Sequence, residues 1–164
     1  MDQVMGVEVL SLELGINLVI LNIYGPYHSR ALFWKALFSK TLLKNPNLVI
    51  GGDLNFSIGT AETWGPLARE DSLSYFFINL IRENKMLDIN LLKTRPTWRN
   101  GRIEEDRVAK RLDRFLPREE VAVTIPAFRQ WVGEGGAFDH MPILLELSKY
   151  PKKSSASNST QIGN

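Results

Sequence analysis

Apolar and polar positions change period several times along this chain, and each change predicts an element. From Val7 to Leu14 the two kinds alternate, Leu10 aside, as in a strand with one face in solvent. Leu18 to Tyr24 is more continuously apolar, which predicts a buried strand. Gly15-Ile16-Asn17 lies between them, so the pair reads as a hairpin that ends at Gly25-Pro26. Phe33, Trp34, Leu37 and Phe38 then recur at helical spacing, predicting a helix capped by Ser29 and running to about Leu43. Leu48-Val49-Ile50 is a short apolar run halted by Gly51-Gly52, the pattern of a strand covered on both faces that ends at a sharp turn. Leu73, Phe76, Phe77, Leu80 and Ile81 follow the i, i+3, i+4, i+7, i+8 rule. They predict a second helix, capped by Asp71 or Ser72, stopping near Asn84 and packed on a sheet. Met86 to Ile89 leads into an extended segment.

Thr97-Trp98-Arg99-Asn100-Gly101 reads as a strand reaching an Asn-Gly turn, with Arg111 to Leu116 as the strand beyond it and Pro117 as its end. Val121 to Thr124 is expected to be a short strand before Pro126. Phe128 and Trp131 are expected to pack. Gly133-Glu134-Gly135-Gly136 is a loop that delivers Phe138-Asp139-His140-Met141-Pro142, and Ile143 to Leu147 is the last strand. After it, Lys, Ser, Asn, Thr and Gln predominate without an apolar period. The expectation is one domain over 1–148 and a disordered tail over 149–164.

Composition narrows the class. A chain of 164 residues is most simply one domain that buries ~70% of its unfolded surface. A net charge of +2 is too small to indicate a nucleic-acid partner by itself. The absence of cysteine excludes disulfides and thiolate zinc sites. No apolar run reaches the ~18 residues of a membrane span, and the N-terminus does not read as a signal peptide. The expectation is an intracellular protein of nucleus or cytoplasm, not secreted and without a membrane partner.

Candidate chemistry sits where strands end. Asp53 and Asn55 lie just past the apolar run at Leu48, where loops on a rigid scaffold commonly place reactive groups. They either make Asx-turn hydrogen bonds or share a small target such as a water or a phosphate oxygen. Tyr24 ends its strand either as a core phenol with a satisfied hydroxyl or as a phosphate donor. His28 reads as a solvated loop histidine. The aromatic stripe of the first helix reads as core. Ile58 to Leu67 is a loop long enough to be functional. From Arg99 to Arg118 there are seven basic residues interleaved with acids, read either as an ion-paired solvated face or as phosphate contacts.

Five phrases in order form a joint signal: Tyr24-Gly25-Pro26; Gly51-Gly52-Asp53-Leu54-Asn55; Thr97-Trp98-Arg99-Asn100; Arg111-Leu112-Asp113-Arg114-Phe115; and Asp139-His140-Met141-Pro142. From about Val7 to Leu147 the chain resembles the endonuclease/exonuclease/phosphatase, or DNase I-like, superfamily. It looks most like the apurinic-type endonuclease domain of LINE-type retrotransposons. The resemblance implies an α/β (α+β) fold, a four-layered αββα sandwich of two mixed sheets. It also implies phosphodiester hydrolysis dependent on Mg²⁺ or Mn²⁺, with DNA as the substrate. By motif position, Asp53 would orient or deprotonate the attacking water and Asn55 would help hold it. His140 would donate to the phosphoryl oxygens with Asp113 as its partner, Asp139 would assist the metal, and Tyr24 would contact phosphate. Trp98, Arg99, Arg111 and Arg114 are the candidate nucleic-acid contacts.

Two departures shape the expectation. Family members begin with two further segments, the second carrying the Glu that is the principal metal ligand, and this chain starts after both. Glu8 and Glu13 belong to the next strand of the family pattern and do not replace that residue. Phe138 stands where the family usually has Ser before Asp-His. The chain thus reads as an N-terminally incomplete domain: a metal-dependent endonuclease or, alternatively, a catalytically inactive retroelement remnant that binds nucleic acid weakly. Substrates in this superfamily also include small phosphoesters. A sheet edge left uncovered near the first hairpin would favour self-association.

Overall fold

The computed structural model describes residues 4–89, 94–125, 127–135 and 138–150. Strands β1 (Val4–Ser11) and β2 (Ile16–Ile23) form the expected antiparallel hairpin, with Val7 opposite Ile20, but its turn falls at residues 12–15 rather than at Gly15-Ile16-Asn17, and β1 is exposed on both faces. The chain crosses over through helix α1 (Arg30–Phe38) and a 3₁₀ turn at Thr41–Lys44, and β3 (Leu48–Asp53) then pairs parallel to β2. Strand β7 (Asp113–Pro117) closes this main sheet antiparallel to β3, giving the order β1-β2-β3-β7.

Alternation along β2 and β3 explains why their apolar runs are unbroken. Val19, Leu21, Ile23, Leu48 and Ile50 face a core with Trp34 and Phe38 of α1 and Phe77, Leu80 and Ile81 of helix α2 (Ser74–Glu83). Leu18 and Val49 face a second core with Val121, Ile125, Phe128, Leu145 and Leu147. The latter residues belong to or adjoin helix α3 (Glu119–Thr124) and the hairpin of β8 (Ala127–Val132) and β9 (Ile143–Ser148). The main sheet is therefore layered between helices on one side and a second β layer on the other, an α+β architecture. A small antiparallel sheet, order β4-β6-β5, joins β4 (Thr63–Trp64), β6 (Ala109–Lys110) and β5 (Trp98–Arg99).

Several boundaries differ from the sequence reading. Helix α1 stops at Phe38, where the Ser39 hydroxyl donates to Ala36 O, and Lys40 is extended before the 3₁₀ turn. Ser29 adopts a positive φ of 54° and gives no side-chain cap. Asp71 does support α2, accepting from Leu73 N at 2.9 Å, but its carboxylate also forms a bidentate pair with Arg30. Val121 to Thr124 is helical rather than a strand. Val121 and Ile125, one turn apart, are both buried, and that shared face outweighs the β preference of valine. The partner across the Asn-Gly loop is β6 rather than Arg111 to Leu116, which runs on into the main sheet. Asn100 closes that long loop with its own side chain, bonding Asp106 O, Arg102 N and Val108 N. Phe128 packs in the second core, whereas Trp131 is 37% exposed. Pro126, Gly136 and the tail beyond Tyr150 lie outside the described residues.

Strand β1 pairs only with β2 and is an open edge among the described residues. Met5, Val7, Val9 and Leu10 are exposed there, and Glu8 is its one charged residue. A shallow groove of ≈ 190 Å³ lined by Gly6, Val7, Glu8, Val19, Leu21 and Leu42 runs alongside. An unblunted apolar edge is a template for strand pairing. The protein is expected to self-associate through it, and Val7→Lys should shift sedimentation towards monomer. An unchanged species distribution in that variant would remove β1 as the interface. No helix among the described residues is long and apolar enough to cross a membrane.

Candidate active site

The ends of β2, β3 and β7 meet because their sequences remove side chains where backbones must touch. Gly25 N donates to Asp53 O at 2.7 Å, and a Cβ on Gly25 would lie 2.3 Å from Leu54 O. Gly52, at φ 124°, has Ile23 O 2.4 Å from where its Cβ would be. Any other residue at either position would push the strands apart. Asn55 continues the join. Its Nδ2 donates to Gly25 O at 3.1 Å, and its backbone N donates to Asp53 Oδ1 at 3.0 Å. The Asx turn of the sequence reading is present, and it fixes Asp53 with one oxygen, Oδ2, turned towards His140.

Asp113 opens β7 directly opposite Asp53. The Thr97 hydroxyl oxygen accepts from both Leu112 N and Asp113 N at 2.9 Å, locking that strand start to the Thr97-Trp98 phrase. His140 arrives on the other side of the same phrase, through a bridge between Trp98 and His140 and the bond from Met141 N to Thr97 O. The His140 Nδ1–H donates to Asp113 Oδ2 at 3.0 Å, and Nε2 lies 3.7 Å from Asp53 Oδ2. That second distance is beyond hydrogen-bond reach, so Nε2 faces Asp53 without bonding to it and is left for another partner. Asp139 is exposed and accepts from Trp98 Nε1 at 3.0 Å, while Arg99 N donates to Asp139 O.

Asp53, Asp113 and His140 offer ligand atoms that all lie within 4.8 Å of one another. Burial raises the Asp53 pKa, the charge of Asp113 raises it further, and His140 and the Asn55 N–H offset only part of this. Two carboxylates held together with uncompensated charge suit a divalent cation. Hard Mg²⁺ is served by the oxygens of Asp53 and Asp113, whereas Mn²⁺ also accepts the imidazole.

Of the remaining candidates, Tyr24 is 61% exposed at the end of β2, on the loop fastened to Asp53. Trp98 and Arg99 flank Asp139, with Arg99 exposed. Arg111 and Arg114 are placed differently. They are 2% and 0% exposed, and they share Glu62 and Asp88 in a buried four-membered network. Burial works to lower the Arg111 pKa, but bonds and charge from Asp88 and Glu62 outweigh it and hold it above its usual value. Both guanidiniums are committed to the interior, so neither is a nucleic-acid contact. Glu62, in the 3₁₀ turn Thr60–Glu62 of the long loop, and Asp88 had no signal of their own in the sequence beyond being acidic.

No family model and no curated protein matches the chain. Solved structures do. The endonuclease domain of TRAS1, a telomere-specific non-LTR retrotransposon, superposes with TM-score 0.68 at 16% identity, over 88% of this chain and 63% of that one. An AP endonuclease from Archaeoglobus fulgidus gives TM-score 0.62 at 16% identity, over 79% of this chain and 61% of that one. The catalytic domain of Xenopus laevis APE2 gives 0.63 at 15%, over 88% and 54%. The chain thus spans less than two thirds of each of these neighbours. On these three superpositions the chain has a DNase I-like fold.

Proposed function

We propose that this chain carries out divalent-metal-dependent hydrolysis of phosphodiester bonds in nucleic acid, acting as a DNA endonuclease of retroelement type. The observation that carries the reading is the convergence of Asp53, Asp113 and His140, three residues far apart in the chain, at one end of a fold shared with DNA-acting nucleases. A cation held by Asp53 and Asp113, with Asp139 beside them, would offset phosphate charge and polarise the phosphoryl group. Asp53 takes the proton of the attacking water through the oxygen that the Asn55 N–H leaves free. Asn55 fixes the orientation of that carboxylate. Asp113 orients the imidazole, and His140 Nε2–H donates to a phosphoryl oxygen as negative charge builds. The Tyr24 hydroxyl donates to the same phosphate.

The test is nicking of supercoiled and abasic DNA with Mg²⁺ or Mn²⁺ against EDTA. EDTA-sensitive cleavage is expected, and His140→Ala should lower its rate by ~10²–10³. Cleavage unaffected by His140→Ala would remove the site assignment. A second reading, a non-catalytic module that binds nucleic acid weakly, draws on the uncompensated charge around Asp53. Retained DNA binding without EDTA-sensitive cleavage would favour it.

A further inference from the structure

Three aromatic side chains on the loops that carry the site are left in solvent. Tyr24 is 61% exposed, Tyr27 78% and Phe138 84%. Tyr24 and Tyr27 flank Gly25-Pro26 on the loop that Gly25 fastens to Asp53 and Asn55. Phe138 immediately precedes Asp139 and His140. Tyr27 meets only the edge of the His28 ring, at 5.1 Å, and Phe138 makes no ring contact among the described residues. Elsewhere the chain shows where such rings go when packing is their purpose. Trp34, Phe56 and Phe77 are 0–2% exposed and in mutual contact. Tyr75 on α2 is exposed as well, at 80%, so it is the place of Tyr24, Tyr27 and Phe138 on the loops that carry the site, not exposure alone, that points to a binding surface.

Arg99 supplies the matching charge. It is exposed, has no ion-pair partner among the described residues, and is held beside Asp139 through its backbone. Exposed rings combined with a free cation are the means by which proteins hold single-stranded nucleic acid: bases stack on the rings and the phosphates meet the charge. In a continuous duplex the base faces are already stacked on one another, so such rings find no partner without distorting it.

We infer that Tyr27 and Phe138 stack on unpaired bases next to the scissile phosphate, which makes the preferred substrate a nucleic acid that is single-stranded or locally unpaired at the cleavage site. This rests on the nuclease reading and names its substrate class. Binding can be tested apart from cleavage. The full chain in EDTA is titrated against a fluorescein-labelled single strand and against the duplex of the same sequence, and anisotropy is read. The single strand should bind more tightly. Phe138→Ala and Tyr27→Ala should each weaken it by roughly 5- to 150-fold, with duplex binding little changed. Phe138→Trp should retain the wild-type preference. Equal affinity for both forms, or alanine variants that bind as wild type, would overturn the stacking inference while leaving nuclease activity intact. Absence of any nucleic-acid binding would overturn the nuclease reading as well. Alanine variants that change sedimentation rather than binding would reassign the rings to a protein interface and overturn the inference.

Discussion

Asp53→Asn should abolish cleavage and, at neutral pH in EDTA, raise the melting temperature. The loss of activity follows from removing the base, a contribution of typically 10²–10⁴ in rate. The gain in stability follows from the environment of the carboxylate. Asp53 is held in a partly buried position opposite Asp113, and its pKa is raised above the usual 3.8 chiefly by burial and then by that neighbouring charge. A group that binds its proton more tightly when folded stabilises the fold only while protonated. Its favourable contribution is complete below the unfolded value and is lost as pH rises through the folded one. At pH 7 the ionised form therefore weighs against the folded state. The amide removes that cost, and its oxygen can still accept from Asn55 N, as Asp53 Oδ1 does at 3.0 Å. The stabilisation should shrink as pH falls towards the carboxylate range, where the wild-type proton returns. Such a variant would be a case of stability traded for function at one residue. A melting temperature that falls at pH 7 would show that the Asp53 charge is already compensated by its surroundings.

The legible parts of this molecule were those written in local period. The strand at Leu48, the α1 stripe and the α2 face each announce themselves within a dozen residues, and each formed as expected. Apart from the ends of α1, much of what failed depended on packing partners that local period does not show. Val121 reads as strand until Ile125 and the second core are known. Arg99, Arg111 and Arg114 look alike in a basic run. Only folding separates them, because the acids that bury two of them stand 49 and 23 residues before Arg111. The two-residue strands β4, β5 and β6 are too short for any period to register. The site is an intermediate case. His140 and Asp113 are 27 residues apart, and nothing local joins them. Their pairing was legible only through the order of five phrases, each of which is weak alone. The hydrogen bonds that realise it, from Leu112 N and Asp113 N to the Thr97 hydroxyl and from Met141 N to Thr97 O, show why the Thr97-Trp98 phrase belongs to that order.

Glu62→Ala should destabilise the fold by about 3–5 kcal/mol, because it strands two guanidiniums in the interior against a single carboxylate. For a chain of this length that corresponds to a fall of roughly 6–20 °C in melting temperature. Arg114 Nη2 lies 2.7 Å from Glu62 Oε2 and Arg114 Nη1 2.6 Å from Asp88 Oδ2, with the guanidinium 4.8 Å from the Phe56 ring. Arg111 pairs with the same two acids, so the network is neutral only while all four members remain. Glu62 also accepts from the Ile58 N–H, a second group orphaned by the change. Arg99→Ala, at an exposed position, should stay within about 0.5 kcal/mol. The consequence for the site is direct. Arg111 and Arg114 bracket Leu112-Asp113, and Arg111 N donates to Glu62 O at 3.0 Å, so the network holds the strand start that aims Asp113 at His140. Glu62→Gln keeps the shape and the bonds one oxygen accepts, from Arg114 and the Ile58 N–H, but turns an amide NH₂ towards Arg111 and loses the charge, and should fall between wild type and alanine in both stability and cleavage rate. If Glu62→Ala melts within 2–3 °C of wild type, a fall below about 1 kcal/mol, water reaches these guanidiniums and the interior they occupy is not dry.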